Sequence, residues 1–297
     1  MTGSHLKALL MSLRLPFLLL TPICLSLGVV FAYQATGFVD VSKLMLILLG
    51  GLSAHASVNL FNEYSDYQSG LDKLTEKTPF SGGSGGLLVY PEALNTVRKW
   101  AVIALIISIV IGLYFVLTVS LLLFPLGFIG ALLVVFYTEQ VNRWPWLCLV
   151  APGIAFGPIM VLGAFLALTG QLDWTVLWIS MVPFFMVNNL LLLNQLPDID
   201  ADHQVGRLHI PIRYGWKISL LIYGLFAVAT TVTLYLLRAE KIIIDNWGWI
   251  WSPAIASLVV LLGTFRNQRK TTELIPYLGI NVLITLLTPV LLSLGLH

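Results

Sequence analysis

Apolar residues run along this chain in long stretches, and the polar residues collect between them and at a few stretch ends. A helix that crosses a bilayer needs about 20 mostly apolar residues. Nine stretches meet that need, at 15–33, 42–62, 99–116, 118–137, 146–168, 174–196, 216–236, 248–265 and 275–296. The third and fourth nearly touch, so a tight turn must join them. Two connections are long and polar, Glu63 to Lys99 and Pro197 to Trp216. The others are short. The pattern predicts an all-α polytopic membrane protein, about nine transmembrane helices in one bundle, with residues 1–297 forming a single domain.

Composition agrees. Of 297 residues, 58% are hydrophobic and 10% charged, against about 25% charged in a soluble domain. The net charge of +2 and the lack of any Lys/Arg run argue against nucleic acid as a partner. Cys24 and Cys148 lie in apolar stretches and read as small buried hydrophobes. The Trp residues, such as Trp144, Trp146 and those between Trp247 and Trp251, read as interfacial anchors. With the N-terminus cytoplasmic, thirteen Lys/Arg fall on the cytoplasmic side, Arg14, Arg266, Arg269 and Lys270 among them. Three fall opposite: Lys43, Arg238 and Lys241. The positive-inside rule then puts the N-terminus and the polar connections on the cytoplasmic side, and the membrane expected is a prokaryotic inner or cell membrane. Ten of the fourteen acidic residues share that side. Acidic residues do not drive topology, so their gathering there has another cause.

Two polar clusters supply it. The first closes the second stretch with His55, Asn59, Asn62, Glu63 and Asp66, then Gly70 and Asp72. Steps of four, three and four residues put His55, Asn59, Asn62 and Asp66 on one helical face. The second closes the sixth stretch with Asn188, Asn189, Asn194, Asp198, Asp200 and Asp202. Asn194, Asp198 and Asp202 again share a face, with Pro197 set to bend the helix. Each cluster contains Asn-xxx-Asp at the cytoplasmic end of an even-numbered span, which suggests two related halves facing each other. Polar groups in membrane spans are costly and usually functional. Two carboxylates about 5 Å apart repel by roughly 3 kcal/mol at an effective dielectric near 20, so converging clusters call for protons or cations. Mg²⁺ fits oxygen ligands and is shared with substrate phosphates. Lys73, Lys77, Arg143, Arg207 and Arg213 lie on the same side, and the run Ser81-Gly-Gly-Ser-Gly-Gly86 reads either as a flexible connection or as an anion cradle. His55 reads as an interhelical hydrogen-bond donor or a catalytic group, and Asp200 as solvated surface.

At these residues the chain resembles the UbiA superfamily of intramembrane prenyltransferases. The family's first motif reads here Asn62-Glu-Tyr-Ser-Asp66-Tyr-Gln-Ser-Gly70-Leu-Asp72, and its second Asp198-Ile-Asp-Ala-Asp202, with Gly206-Arg207 beyond. The spacing, Tyr137-Thr138 and Gly157-Pro158 are similar to the branch that prenylates 1,4-dihydroxy-2-naphthoate on the way to menaquinone. The resemblance implies Mg²⁺-dependent transfer of a polyprenyl group from a prenyl diphosphate to a small aromatic acceptor, in the presence of membrane lipid. It implies Asp66, Asp198 and Asp202 as catalytic residues. Asn62, Glu63, Asp66, Asp72, Asp198 and Asp202 would hold the metal. Asn62, Asp72, Lys73, Lys77, Tyr137, Arg143, Asn194 and Arg207 would bind substrate. Tyr64, Tyr67 and Tyr137 become candidates to face an allylic cation. The chain departs from the family pattern in three places: Glu63 in place of Asp, Thr78-Pro79-Phe80 in place of an Arg-Pro pair, and His209 at a position often held by Thr. Other acceptors in the family are a hydroxybenzoate, a homogentisate, a tetrapyrrole alcohol and a glycerol-phosphate lipid. The rival function is an ion-coupled transporter with acidic intramembrane sites.

Overall fold

The computed structural model describes residues 3–138, 140–243, 247–268 and 271–296; the charges Arg269 and Lys270 and the Trp247 side chain lie outside the described set. A short helix α1 (Gly3–Ser12) precedes the membrane helices α2 (Leu15–Thr36), α3 (Val41–Ser69), α4 (Pro91–Thr118), α5 (Leu123–Phe136), α6 (Pro145–Thr169) and α7 (Trp174–Asn194). A six-residue helix α8 (Ile199–Gln204) leads to α9 (Ile210–Ala239), α10 (Gly248–Arg266) and α11 (Thr271–Gly295). Among the described residues, eight helices are long and apolar enough to cross a membrane.

The expected fourth span differs. It is the 14-residue α5, about 21 Å long at 1.5 Å per residue, shorter than a hydrocarbon core of about 30 Å. At its start the chain leaves helical geometry at Val119, and at its end it turns through Val141–Arg143. The first cluster lies on one helix, as its spacing predicts, and that helix runs beyond the apolar stretch that ends at residue 62. Helix α3 continues past residue 62 to Ser69, where Gly70 closes it with a left-handed φ of 78°. Asp66 therefore stands a full turn beyond Asn62 on continuous helix.

Capping accounts for two acidic residues on the opposite side. The Asp40 carboxylate accepts from the Ser42 and Lys43 amides at 2.8 and 3.2 Å and starts α3. Asp173 does the same for α7 through the Thr175 amide at 2.7 Å. Such caps are worth about 1 kcal/mol each.

Helix α7 is the most buried span and α4 the least. Close approach of α6 to α7 is possible because both contact points are glycine. A Cβ on Gly153 would lie 2.4 Å from the Phe184 carbonyl, and one on Gly157 2.6 Å from the Ser180 carbonyl. Pro152 and Pro158 remove backbone donors from α6, which widens into a π-helical segment over Ala155–Leu162. Asn188 reaches across to accept the Gly153 amide at 2.7 Å. Asn189 donates to the Tyr223 carbonyl at 3.0 Å, and the Tyr223 hydroxyl donates to Asn281 at 3.0 Å. Asn188 and Asn189 thus bind helices together, the usual work of buried amides in a bilayer.

Candidate active site

A cavity of about 780 Å³ opens between α2, α3, α4, α5, α6 and α7. Its deep part is apolar, with Leu25, Ile47, Ile109, Phe115, Phe124 and Met160 in the wall. Its mouth is polar, because α3 and α7 end there and bring both clusters with them. Asn62, Asp66, Asp72, Asn194, Asp198 and Asp202 all line it. Pro197 interrupts the helix, α7 stops at Asn194, and α8 starts afresh with Asp202 in its first turn. The break lets Asp198 and Asp202 face the mouth from a separate segment.

Arg207 links the two clusters. Its Nη1 donates to Asp202 Oδ1 at 2.9 Å and its Nη2 to Asp66 Oδ1. His209 Nε2 meets the other Asp202 oxygen at 2.9 Å, and His209 Nδ1 has no partner. Burial alone would lower the Arg207 pKa, but the Asp66 and Asp202 carboxylates more than offset it and hold the guanidinium charged. The neighbouring acceptors are not so served. Asp72 Oδ2, Asn194 Oδ1 and Asp198 Oδ1 are buried without a hydrogen-bond partner. Buried unpaired acceptors are costly, and three at one mouth form an all-oxygen donor set that suits a hard divalent cation. Among the described residues, no three His, Cys, Asp or Glu side chains cluster tightly enough to hold a metal by themselves. A cation here would complete its shell from water or a bound anion.

Burial pushes the Asp72 carboxyl up to about 7, with Glu63 and Asp66 adding to the rise and Lys77 and Arg14 opposing it. Burial pushes Asp198 up to about 7 as well, with Asp202 adding to the rise. The ordinary value is about 4, so the folded protein holds these protons more tightly than the unfolded chain. That contribution to stability is complete below about pH 4 and is lost as pH rises through 7. The metal-free protein should therefore melt at a lower temperature at about pH 8 than at about pH 5. Millimolar Mg²⁺ should restore the melting temperature at the higher pH only, because the cation needs ionised ligands. Thermal unfolding in detergent checks this. A wild-type profile that superimposes on that of the Asp72→Asn/Asp198→Asn variant would refute the assignment.

The model of the UbiA prenyltransferase family matches residues 19–274. The chain belongs to that family. As a UbiA prenyltransferase it is an integral, multi-pass membrane enzyme that transfers prenyl groups. It is 30% identical over 196 residues to the 1,4-dihydroxy-2-naphthoate octaprenyltransferase of Bacillus subtilis (strain 168), a match covering 64% of this chain and 61% of that one. It is 24% identical to the Haemophilus influenzae enzyme of the same name, covering 85% and 83%. The fold matches a UbiA homolog from Archaeoglobus fulgidus bound to DMAPP and Mg2+, with TM-score 0.65, 14% identity and coverage of 95% and 98%. It matches a digeranylgeranylglyceryl phosphate synthase equally well, with TM-score 0.65, 19% identity and coverage of 97% and 98%.

In this prenyltransferase some expected site residues do not line the cavity. Lys73, Lys77 and Arg143 are exposed and outside its wall. Lys73 and Arg143 follow buried pairs (Leu71 and Asp72, Val141 and Asn142), and the turn carries the next side chain out, while Lys77 follows the exposed Glu76 and lies over Gly85. Glu63 is one residue and about 100° around the helix from Asn62, and its carboxylate meets the Ser84 and Gly86 amides. Tyr64 and Tyr67 pack in the cluster of Ala8, Leu60 and Leu87, with Arg98 5.5 Å above the Tyr64 ring. Of the three tyrosines, Tyr137 lines the cavity. His55 lies in the wall with Nδ1 2.8 Å from the Thr21 hydroxyl, an interhelical bond. Asp200 is exposed.

Residues absent from the sequence reading of the site complete the mouth. Arg14 lines it, stands in the left-handed region at φ 50° and lies near enough to Asp66 and Asp72 to act on both charges. Its place just before Leu15-Pro16, at the first apolar stretch, is the sequence signal for this position, although a positive-inside count registers Arg14 only as a topology charge. The Thr138 hydroxyl donates to Asn62 Oδ1, and the Asn142 amide donates to the Thr138 carbonyl at 3.3 Å.

Proposed function

We propose that the protein transfers a polyprenyl group from a prenyl diphosphate to a small aromatic acceptor, with 1,4-dihydroxy-2-naphthoate as the favoured acceptor and the whole chain acting as one catalytic domain. The observation that carries this reading is a cavity with a carboxylate and guanidinium mouth above an apolar shaft in the membrane. A prenyl diphosphate has the same division, a dianionic or trianionic head on a hydrocarbon chain. The Bacillus subtilis and Haemophilus influenzae relatives support the acceptor.

Asn62, Asp66, Asp72, Asp198 and Asp202 would hold Mg²⁺, with Asn194 beside them. The cation supplies electrostatic stabilisation to the departing diphosphate. Arg14 and Arg207 meet the diphosphate oxygens and add charge where charge develops. The allylic C–O bond breaks, and its electron pair leaves with the diphosphate. A π pair of the acceptor ring forms the new C–C bond, and the ring then gives up the group it carried at that carbon. Tyr137 offers an aromatic face near the reacting carbon. The apolar shaft keeps water from the allylic cation. The same reading puts the mouth on the cytoplasmic face of a prokaryotic cell membrane, in line with the thirteen Lys/Arg on that side.

The test is diphosphate release by purified protein with geranylgeranyl diphosphate and a panel of acceptors, with and without Mg²⁺. The expected result is release that needs both Mg²⁺ and the dihydroxynaphthoate. Release with a glycerol-phosphate lipid or a hydroxybenzoate instead would move the acceptor and keep the transferase. No release with any acceptor, together with cation-dependent solute movement in liposomes, would favour a transporter.

A further inference from the structure

The segment Ser81–Gly86 contains four glycines, and Gly82, Gly83 and Gly85 stand at φ of 84°, 70° and 71°. Such a segment has little conformational preference of its own and loses much entropy when ordered. It is nonetheless fastened at both ends. At one end Thr78 Oγ1 accepts the Phe80 and Ser81 amides at 3.1 and 2.9 Å, a side-chain turn built at the Thr78-Pro79-Phe80 sequence. At the other end the fastening is Glu63. One carboxylate oxygen accepts the Ser84 amide at 3.0 Å, and the other accepts the Gly86 amide at 3.1 Å and the Ser84 hydroxyl. The Glu63 residue is 2% exposed.

Between these fastenings the loop lies across the mouth and touches both acidic clusters. The Gly82 amide and the Ser81 hydroxyl stand beside the Asp198 carboxyl. A Cβ on Gly83 would lie 2.4 Å from Asp72 Oδ1, so the backbone packs directly on that carboxylate. Lys77 Nζ lies over Gly85 on the outer side. The loop is therefore a wall of the mouth whose position depends on Glu63, while the Glu63 carboxylate itself does not line the cavity.

We infer that Glu63 is a positioning residue for the Ser81–Gly86 loop and not a ligand of the divalent cation. The consequence for catalysis rests on the prenyl-transfer reading; the consequence for the loop does not. A carboxylate that already accepts three donors has little left to offer a metal. Its length suits the task, since it must cross from α3 to a backbone on the far side of the loop. Glu63 acts on the substrate through the loop, by holding Ser81, Gly82 and Gly83 against Asp72 and Asp198 where the diphosphate would enter.

The experiment is amide hydrogen exchange on the metal-free, substrate-free protein, with Glu63→Ala and Glu63→Gln compared with wild type. The Ser84 and Gly86 amides should exchange roughly tenfold faster or more in Glu63→Ala. In Glu63→Gln, which keeps one acceptor oxygen, they should lie between. In turnover, Glu63→Gln should raise the KM for prenyl diphosphate while leaving the Mg²⁺ concentration for half-maximal activity unchanged. Unchanged exchange at these amides in both variants would overturn the inference. So would a tenfold or larger rise in the Mg²⁺ requirement of Glu63→Gln. If Glu63→Ala does not fold, Glu63→Gln alone decides both points. If the protein proves to transfer no prenyl group, the exchange result still decides what holds the loop.

Discussion

Asp198→Ala and Asp66→Ala are each expected to lower prenyl transfer by about 10³-fold or more, the scale on which loss of a preorganised charge at a reacting centre acts. The two should differ in stability. Asp198 Oδ1 is buried without a partner, and burial together with Asp202 outweighs the Gly82 amide and the Ser81 hydroxyl that meet the carboxyl, so alanine removes a net cost wherever the carboxyl is ionised. Asp198→Ala should melt at or above the wild-type temperature in the absence of Mg²⁺. Asp66 shares the Arg207 guanidinium with Asp202, and Asp66→Ala leaves Arg207 with one carboxylate, so a modest loss is expected. A dead enzyme that is as stable as its parent marks a residue kept for function. Asp200→Ala is the control, since Asp200 is exposed two residues away; its turnover should match wild type. Diphosphate release and thermal unfolding on the same preparations check all three. Either Asp66→Ala or Asp198→Ala retaining activity within tenfold of wild type would remove that carboxylate from the metal set.

Arg207→Ala is expected to destabilise the metal-free protein by about 3–5 kcal/mol, the usual cost of leaving a buried ionic partner uncompensated. The residue joins the first cluster to the second and is 19% exposed. Its removal leaves Asp66 and Asp202 facing each other at the mouth with Asp72 and Asp198 beside them. Mg²⁺ should recover much of the loss, because the cation takes up the charge that the guanidinium had balanced. The variant should also show a raised KM for prenyl diphosphate. Arg207→Lys should fall between, since an ammonium cannot bridge two carboxylates as a planar fork does. Chemical denaturation with and without Mg²⁺ separates the two effects. Stability and donor dependence both equal to wild type would show that Arg207 belongs to neither the bridge nor the substrate site.

The membrane fold was legible from the run lengths of apolar residues, because a bilayer imposes one length on every span. The short α5 shows where that rule stops. Residues 118–137 carry no charge and only two hydroxyl residues before Tyr137, Thr118 and Ser120, and hydropathy cannot register that Val119 and Ser120 leave the helix and that the chain turns after Tyr137. The two acidic clusters were legible for a related reason: charge is expensive at a membrane helix end, so its presence in a four-and-three pattern points to one face.

What the clusters do to each other was decided by tertiary structure. Asp66 and Asp202 are far apart in sequence, and only folding puts one guanidinium between them. Asn188 and Asn189 look like members of the second cluster in the sequence, yet they face α6 and α9 and hold helices. Lys73, Lys77 and Arg143 share a membrane side with the site, and a positive-inside count ranks them beside Arg14; the turns that carry them send their side chains outward and send Arg14 in. Glu63 sits inside the motif and bonds the loop, because a helix rotates neighbours by about 100° and a motif written in letters carries no such rotation. The sequence by itself determined the bilayer as solvent, eight of the nine expected spans and the acidic residues that gather at one end of the bundle. Which of those residues line the mouth, which hold the scaffold and where the apolar shaft runs depended on the packing of α2 through α7, since those are relations between side chains distant along the chain.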